Sequence, residues 1–328
     1  MMKPSVFPFL RPFLAILAVL MLQSLLKCHA RYIGCGFVAA KQLPSSKATR
    51  SRSTIQGCHQ QHDDDHNHID PPLHFPAMGH RPLLAVITAP DACDSQESTE
   101  ATYEALREAV SSNQVDLINV RLTTKTKTTI NEKGDTREDA IRHRAVSLTR
   151  KLVELSKCKS VNSALPLFQV VCSSDLVSVA VEAKAHGVHV KEHHWPLLPE
   201  IMAQFDYPIL IGTSAHSLAS KNEKNGIQPH YYFVGTCYLT ASHPEKAALD
   251  LEGPELPGIF KATLNQPSIP IFAIGGIDQN NCHEPVALGA DGVAVIRSVV
   301  QAADPASAVR IIQNKMKEAV KYTYDAEQ

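Results

Sequence analysis

Two glycine-bearing segments near the C-terminus carry the clearest chemistry in this 328-residue chain. IPIFAIGGI (269–277) ends on Gly275 and Gly276, and GADGVAVIRSVV (289–300) follows, with Ile296 and Arg297 at its turn. A glycine pair lets backbone N–H groups approach an anion with no Cβ in the way. A helix opening directly afterwards adds its own unpaired N–H groups. The chemistry implied is capture of a phosphate. Other groups able to hold anions or move protons recur at the ends of apolar runs. They are Asn119, Arg121, Lys125 and Lys127; Ser173, Ser174 and Asp175; and Lys191, Glu192, His193 and His194. Ser214, His216, Thr240, Ser242 and His243 complete the set. Hydroxyls, imidazoles and a few cations suit binding of phosphate or diphosphate together with proton transfer.

The elements that must position these groups can be read from the apolar runs themselves. Eight short β-branched runs fall at 83–88, 116–121, 167–172, 187–190, 209–213, 231–235, 269–274 and 292–296. They lack polar alternation, as expected of strands buried on both faces. Segments with helical periodicity separate them, among them 102–110, 140–155 and 306–320, the last opened by Asp304 and Pro305 as N-cap and N1. Eight strand-then-helix units predict an α/β fold, a (β/α)8 TIM barrel over 81–328, whose functional groups gather at the C-terminal ends of the strands. A barrel of this kind takes about 250 residues, leaving room for an N-terminal extension. The polar run TTKTKTTINEKGDTRED after the second strand predicts one long irregular connection.

Charge along the chain is uneven although the total is −1. No Asp or Glu precedes Asp63, and that stretch carries 8 of the 32 Lys and Arg, leaving 24 basic against 33 acidic residues and a body of −9. An acidic body argues against a nucleic-acid partner. Residues 1–30 read as a signal: Lys3 and Arg11 precede an apolar core at 13–26, shorter than the roughly 20 residues of a span, and Cys28-His29-Ala30 offers a cleavage site. Acid-free, Ser- and Lys/Arg-bearing sequence at 31–57 has transit-peptide composition. Signal plus transit resembles the bipartite presequences of algae with complex plastids, with ordinary secretion or a retained anchor as the alternatives and no membrane association after processing. A His- and Asp-rich stretch completes the 31–80 extension and reads as a solvated linker, with metal chelation as the other reading. Cys93, Cys158, Cys172, Cys237 and Cys282 are irregularly spaced in a large core, which predicts buried thiols rather than a disulfide framework. Homo-oligomerisation stays open.

GVHV at Gly187, IGTSAHSL at Ile211, the Thr240/Ser242 loop, AIGGI at Ala273 and GADGVAVI at Gly289 resemble the thiamine phosphate synthase/TenI family, over most of 82–320. The resemblance implies a synthase that joins hydroxymethylpyrimidine diphosphate to thiazole phosphate, giving thiamine phosphate and diphosphate. The diphosphate departs, a pyrimidine-stabilised cation forms, and the thiazole nitrogen captures it, with Mg²⁺ and cationic side chains holding the leaving group. Arg121 matches the arginine of the family's Gln-Leu-Arg-Glu-Lys motif. Asn119 stands for the glutamine, Thr123 for the lysine, and Lys125 lies two residues on. Asp175 matches one metal-binding acid with Ser174 before it, and the second falls on His194. His243 stands where the Thr-x-Thr-Lys loop has its lysine. Gly275, Gly276, Ile296 and Arg297 match the thiazole phosphate pocket, and Ser214 and His216 match Ser-x-His.

Three functional readings stay open from the residues. The first is the synthase, a transferase. The second is a TenI-like thiazole tautomerase, an isomerase that uses His216 for proton transfer and needs neither metal nor diphosphate grip. The third is a non-catalytic module that binds thiazole phosphate. Single residues also have structural readings: Asp175 as the N-cap of LVSVAVEAKA, His189 as a strand residue, His193 and His194 as an exposed pair, and Arg297 as a partner of a neighbouring helix.

Overall fold

The computed structural model describes residues 81–122, 136–157, 167–220, 227–240 and 251–326, with side chains as far as 320. The signal-like and transit-like segments, the His-rich linker, Thr123, Lys125, Lys127, Cys158, Ser242 and His243 lie outside the described residues.

Eight parallel strands close on one another in sequence order. They are β1 (Leu83–Ile87), β2 (Leu117–Val120), β3 (Gln169–Ser173), β4 (Gly187–Val190), β5 (Leu210–Ala215), β6 (Tyr231–Val234), β7 (Ile271–Ile274) and β8 (Gly292–Val295). The ring shuts where β1 pairs with β8, from Leu83 opposite Gly292 to Val86 opposite Val295. Each strand falls within or beside its predicted run. The helices are α1 (Gln96–Ser111), α2 (Arg137–Lys157), α3 (Val177–Glu182), α4 (Leu198–Met202), α5 (Leu256–Ala262), α6 (His283–Ala287), α7 (Arg297–Val300) and α8 (Pro305–Ala326). Between β5 and β6 the described residues of the connection, 216–220 and 227–230, form no helix.

Side-chain alternation along the strands builds two concentric layers of core. Leu83, Ala85 and Ile87 point inward to join Leu117, Val171, Leu210, Tyr231, Phe233, Phe272 and Ala294. Leu84 and Val86 point outward, onto a layer that includes Leu106, Leu148, Leu152, Ile312 and Met316 of the helices. The interior is filled unevenly. Tyr231, Phe233 and Phe272 pack edge-to-face, with Phe272 at 5.8 and 5.7 Å from the other two rings. Gly212 makes room for them, since a Cβ there would lie 1.9 Å from Cζ of Tyr231.

Local signals start the longer helices. Ser95 and Ser98 form a reciprocal capping box on α1, and Thr136 and Asp139 do the same on α2. Asp304 accepts from Ser307 N at 2.6 Å ahead of Pro305, as expected for α8. Among the described residues no helix is long and apolar enough to cross a membrane. Cys93, Cys172, Cys237 and Cys282 are free and buried, and burial raises each thiol to about 11 or 12.

The N-terminal end of the barrel is held by a repeated device. The residue just before each even strand donates its N–H to a residue of the preceding strand, and its side chain accepts from the N–H of that same residue. Asp116 does this with Leu84, His186 with Val170, His230 with Ile211 and Asp291 with Ile271, the side-chain bonds measuring 2.8, 2.9, 3.0 and 2.9 Å. Arg81 grips Asp116 with two bonds, at 2.7 and 2.8 Å, and Lys261 pairs with Asp291.

Candidate active site at the C-terminal rim

The opposite end of the barrel opens into a cavity of about 1140 Å³. Its floor is the last inward-facing layer of the strands, and that layer is two-sided. Asn119, Ser173, His189 and Ser214 from β2 to β5 make one half polar, while Phe233, Ile274, Ala294, Ile296 and Ile87 make the other apolar.

His189 anchors the polar half. Its Nε2 lies 2.9 Å from Ser214 Oγ, its Nδ1 lies 3.1 Å from the Tyr231 hydroxyl, and its ring stacks on Phe233 at 4.4 Å. Burial above all, with the charges of Arg121, Lys191 and His216, pushes its pKa down to about 3. It is therefore a neutral hydrogen-bonding group at physiological pH, and its structural reading and its place on the cavity floor coexist. Ser173 sits beside it, with its hydroxyl 3.5 Å from Asn119 Oδ1.

Arg121 stands above Asn119, where β2 ends. Its backbone is fixed by buried Thr88, whose hydroxyl donates to Arg121 O and accepts from Arg121 N, both at 2.8 Å. Burial lowers its pKa and nearby Asp175 raises it. Across the rim Lys191 lines the same cavity and forms an ion pair with Asp175, whose Oδ2 it meets without hydrogen-bond alignment. Asp175 caps no helix: α3 begins from Leu176 with no side-chain cap.

His216, at the end of β5, has Nδ1 2.6 Å from Gly235 O. A carbonyl only accepts, so Nδ1 carries the proton and Nε2 is left as the basic nitrogen. Gly275 and Gly276 adopt φ values of 101° and 65°, which L side chains rarely take. Space also demands glycine, because a Cβ at Gly275 would meet Thr236 Cγ2 at 2.5 Å and one at Gly276 would meet Leu239 O at 2.4 Å. Asn281 braces the turn by donating to Gly276 O at 3.0 Å and accepting from Asp278 N at 2.8 Å. Ser298 ties the β8 turn to it by donating to Ile277 O at 3.4 Å. Ile296 and Arg297 line the cavity beside these glycines.

The structure thus brings Asn119, Arg121, Ser214, His216, Thr240, Gly275, Gly276, Ile296 and Arg297 to one cavity. Ser174, Asp175 and His194 do not line it. They form a separate chain behind Lys191: Lys191 N donates to Ser174 Oγ at 3.1 Å, and Ser174 Oγ lies 2.9 Å from His194 Nδ1. Ser174 Oγ can accept from both Lys191 N and His194 Nδ1 or, with His194 neutral and Nδ1 unprotonated, donate its own hydrogen to Nδ1. Burial and the neighbouring His193 favour the neutral imidazole by lowering the His194 pKa. Sequence reasoning places Lys191 only among the rim groups after the fourth strand, with no specific role, and does not single out Asn281. The lysine's place directly after β4 is the one signal that points to it.

The Mg²⁺ that the resemblance implies does not fit this donor set. Mg²⁺ takes a near-octahedral shell of oxygens. Here Asp175 is neutralised by Lys191, and His194 offers a nitrogen already bonded to Ser174. Among the described residues no group of three or more His, Cys, Asp or Glu is suited to hold a metal.

Residues 170–299, from β3 through most of α7, match the family model described as thiamine monophosphate synthase. The chain is 36% identical over 138 residues to the thiamine-phosphate synthase of Chloroflexus aurantiacus, covering 42% of this chain and 60% of that protein. It is 32% identical over 148 residues to the thiamine-phosphate synthase of Shouchella clausii, covering 44% and 67%. The chain belongs to the thiamine-phosphate synthase family. The match spans 60% of the length of the Chloroflexus protein and leaves the β1–β2 end of the barrel outside the family model. The fold is shared beyond that segment. Thiamine phosphate pyrophosphorylase from Pyrococcus furiosus superposes with a TM-score of 0.51 at 21% identity, covering 73% of this chain and 96% of that one. Within this member of the thiamine-phosphate synthase family, the glycine turn, Ser214, His216 and Arg297 lie inside the matched segment, and Asn119 and Arg121 lie before it.

Proposed function

We propose that this protein is a thiamine-phosphate synthase, coupling hydroxymethylpyrimidine diphosphate to thiazole phosphate. The observation that carries the reading is a single cavity with two anion-binding poles. Arg121 and Lys191 form one pole at β2 and β4, and the Gly275-Gly276 turn with Ile296 and Arg297 forms the other at β7 and β8. A tautomerase acting on one phosphorylated thiazole uses one pole, whereas a synthase has two phosphorylated substrates to hold.

In this reading the C–O bond to the diphosphate breaks with its electron pair leaving on oxygen, and the thiazole nitrogen lone pair closes the new C–N bond. Arg121 and Lys191 stabilise the charge that gathers on the leaving group. Ser214, Ser173 and neutral His189 supply hydrogen bonds on the floor, and the apolar half receives ring surface. His216 is the group placed to exchange a proton with the thiazole partner through Nε2.

The test incubates the full chain with both substrates, with and without Mg²⁺ or Mn²⁺, and follows thiamine phosphate and diphosphate. Formation of both supports the synthase. Thiazole tautomer conversion with no diphosphate released replaces it by the tautomerase, and neither product replaces it by a binding module. We also propose plastid delivery by residues 1–80. A fluorescent protein carrying that segment is expected in the plastid of a host with a complex plastid, and accumulation in the medium would refute this in favour of secretion.

A further inference from the structure

We infer that Lys191 takes the place of the divalent cation at the diphosphate pole, so that this barrel grips diphosphate without a metal. The inference rests on the synthase reading for its substrate but on the geometry for its cation. Asp175 is the one acid kept at the position where the resemblance places metal ligands, and its charge is already met by the Lys191 ammonium. That lysine belongs to the cavity wall while Asp175 does not, so the ammonium stands on the cavity side of the carboxylate. His194 is turned to Ser174 and offers no second carboxylate. Arg121 feels Asp175 as well, so two cations share one half-buried anion, and both cations line the cavity together with Glu192. His189 and its partners keep the floor beneath them neutral. A lysine meets phosphate oxygens as a point charge with three donors, which suits a leaving diphosphate whose charge is spread over many oxygens.

The experiment is calorimetric titration of the full chain with inorganic diphosphate, first in EDTA and then in Mg²⁺. Diphosphate is expected to bind in EDTA, with an affinity that Mg²⁺ improves by less than about threefold. Lys191→Gln should weaken that binding by about tenfold or more, the usual worth of one charge-assisted contact, while Lys191→Arg stays within about threefold of the parent. Binding that appears only with Mg²⁺, or a Lys191→Gln protein that binds like the parent, overturns the inference. The EDTA arm uses the unaltered chain, so its outcome does not depend on a variant folding. Synthesis is scored separately. Diphosphate bound in EDTA with no thiamine phosphate formed under any condition leaves the Lys191 site standing and removes the synthase reading. Product formed strictly with added metal does the reverse.

Discussion

Gly276 is under two constraints at once, a φ of 65° and a carbonyl 2.4 Å from where a Cβ would be. Either alone disfavours substitution, and together they leave the turn no relaxed alternative. Gly276→Ala is expected to destabilise the barrel by about 1–3 kcal/mol, the usual cost of forcing such backbone. It should also raise KM for thiazole phosphate about tenfold or more by displacing the N–H groups of the turn. Steady-state kinetics beside a denaturant curve would separate the two effects, and an unchanged KM would remove the turn from the phosphate pole. His216 allows a finer substitution. In His216→Asn the amide can still donate to Gly235 O, but the basic Nε2 is gone. If that nitrogen transfers a proton in the rate-limiting step, kcat should fall by about 10²–10⁴, the range of general acid–base catalysis, while the melting temperature stays close to that of the parent. A fall of less than about threefold would leave His216 a positioning role.

At the scale of elements, the four clamps explain why Asp or His stands just before every even strand. The N–H groups of Leu84, Val170, Ile211 and Ile271, at the starts of the odd strands, face the residue just ahead of the next strand, and a side-chain acceptor there supplies their partner. His186→Leu strands the Val170 N–H, which should cost about 1–3 kcal/mol. In His186→Asn the amide oxygen sits where Nδ1 does, so most of the stability should return. If both variants unfold at the same denaturant concentration, the side-chain bond contributes nothing. The strands themselves are legible in the sequence because burial on both faces writes an unbroken apolar run, and GVHV matches β4 residue for residue. Gly275, Gly276 and His216 are legible because strand ends in this fold point at one place. The clamps are not, since an Asp or His before a strand looks like any polar residue in a loop. The pairing of Lys191 with Asp175 is obscured for a similar reason: it joins the ends of two strands and leaves no spacing signature along the chain.

The clamps and the floor together give the whole molecule a defined response to acid. His186 accepts from Val170 N only when Nδ1 is unprotonated, and burial holds its pKa near 4. His189, deeper in the barrel, is held near 3. In the unfolded chain both titrate near 6.5. Between pH 6.5 and 4 the unfolded state therefore binds protons that the folded state refuses, so stability falls as pH falls, by at most about 1.4 kcal/mol per pH unit for each histidine. Above 6.5 neither state binds them and their contribution is full and flat. From pH 6.5 to 4.5 the two together remove up to about 5 kcal/mol, comparable with the entire stability of a modest domain. Because the inner core draws on seven of the eight strands of a closed ring, this loss should register as one cooperative shift of the barrel rather than local fraying. Urea unfolding at pH 7.0, 5.5 and 4.5 should give midpoints that drop steeply below about pH 6.5, and His186→Asn should remove about half the slope. A parent midpoint that stays constant down to pH 4.5 would mean that neither imidazole is held neutral by the fold, and would take with it the neutral floor on which the diphosphate pole is built.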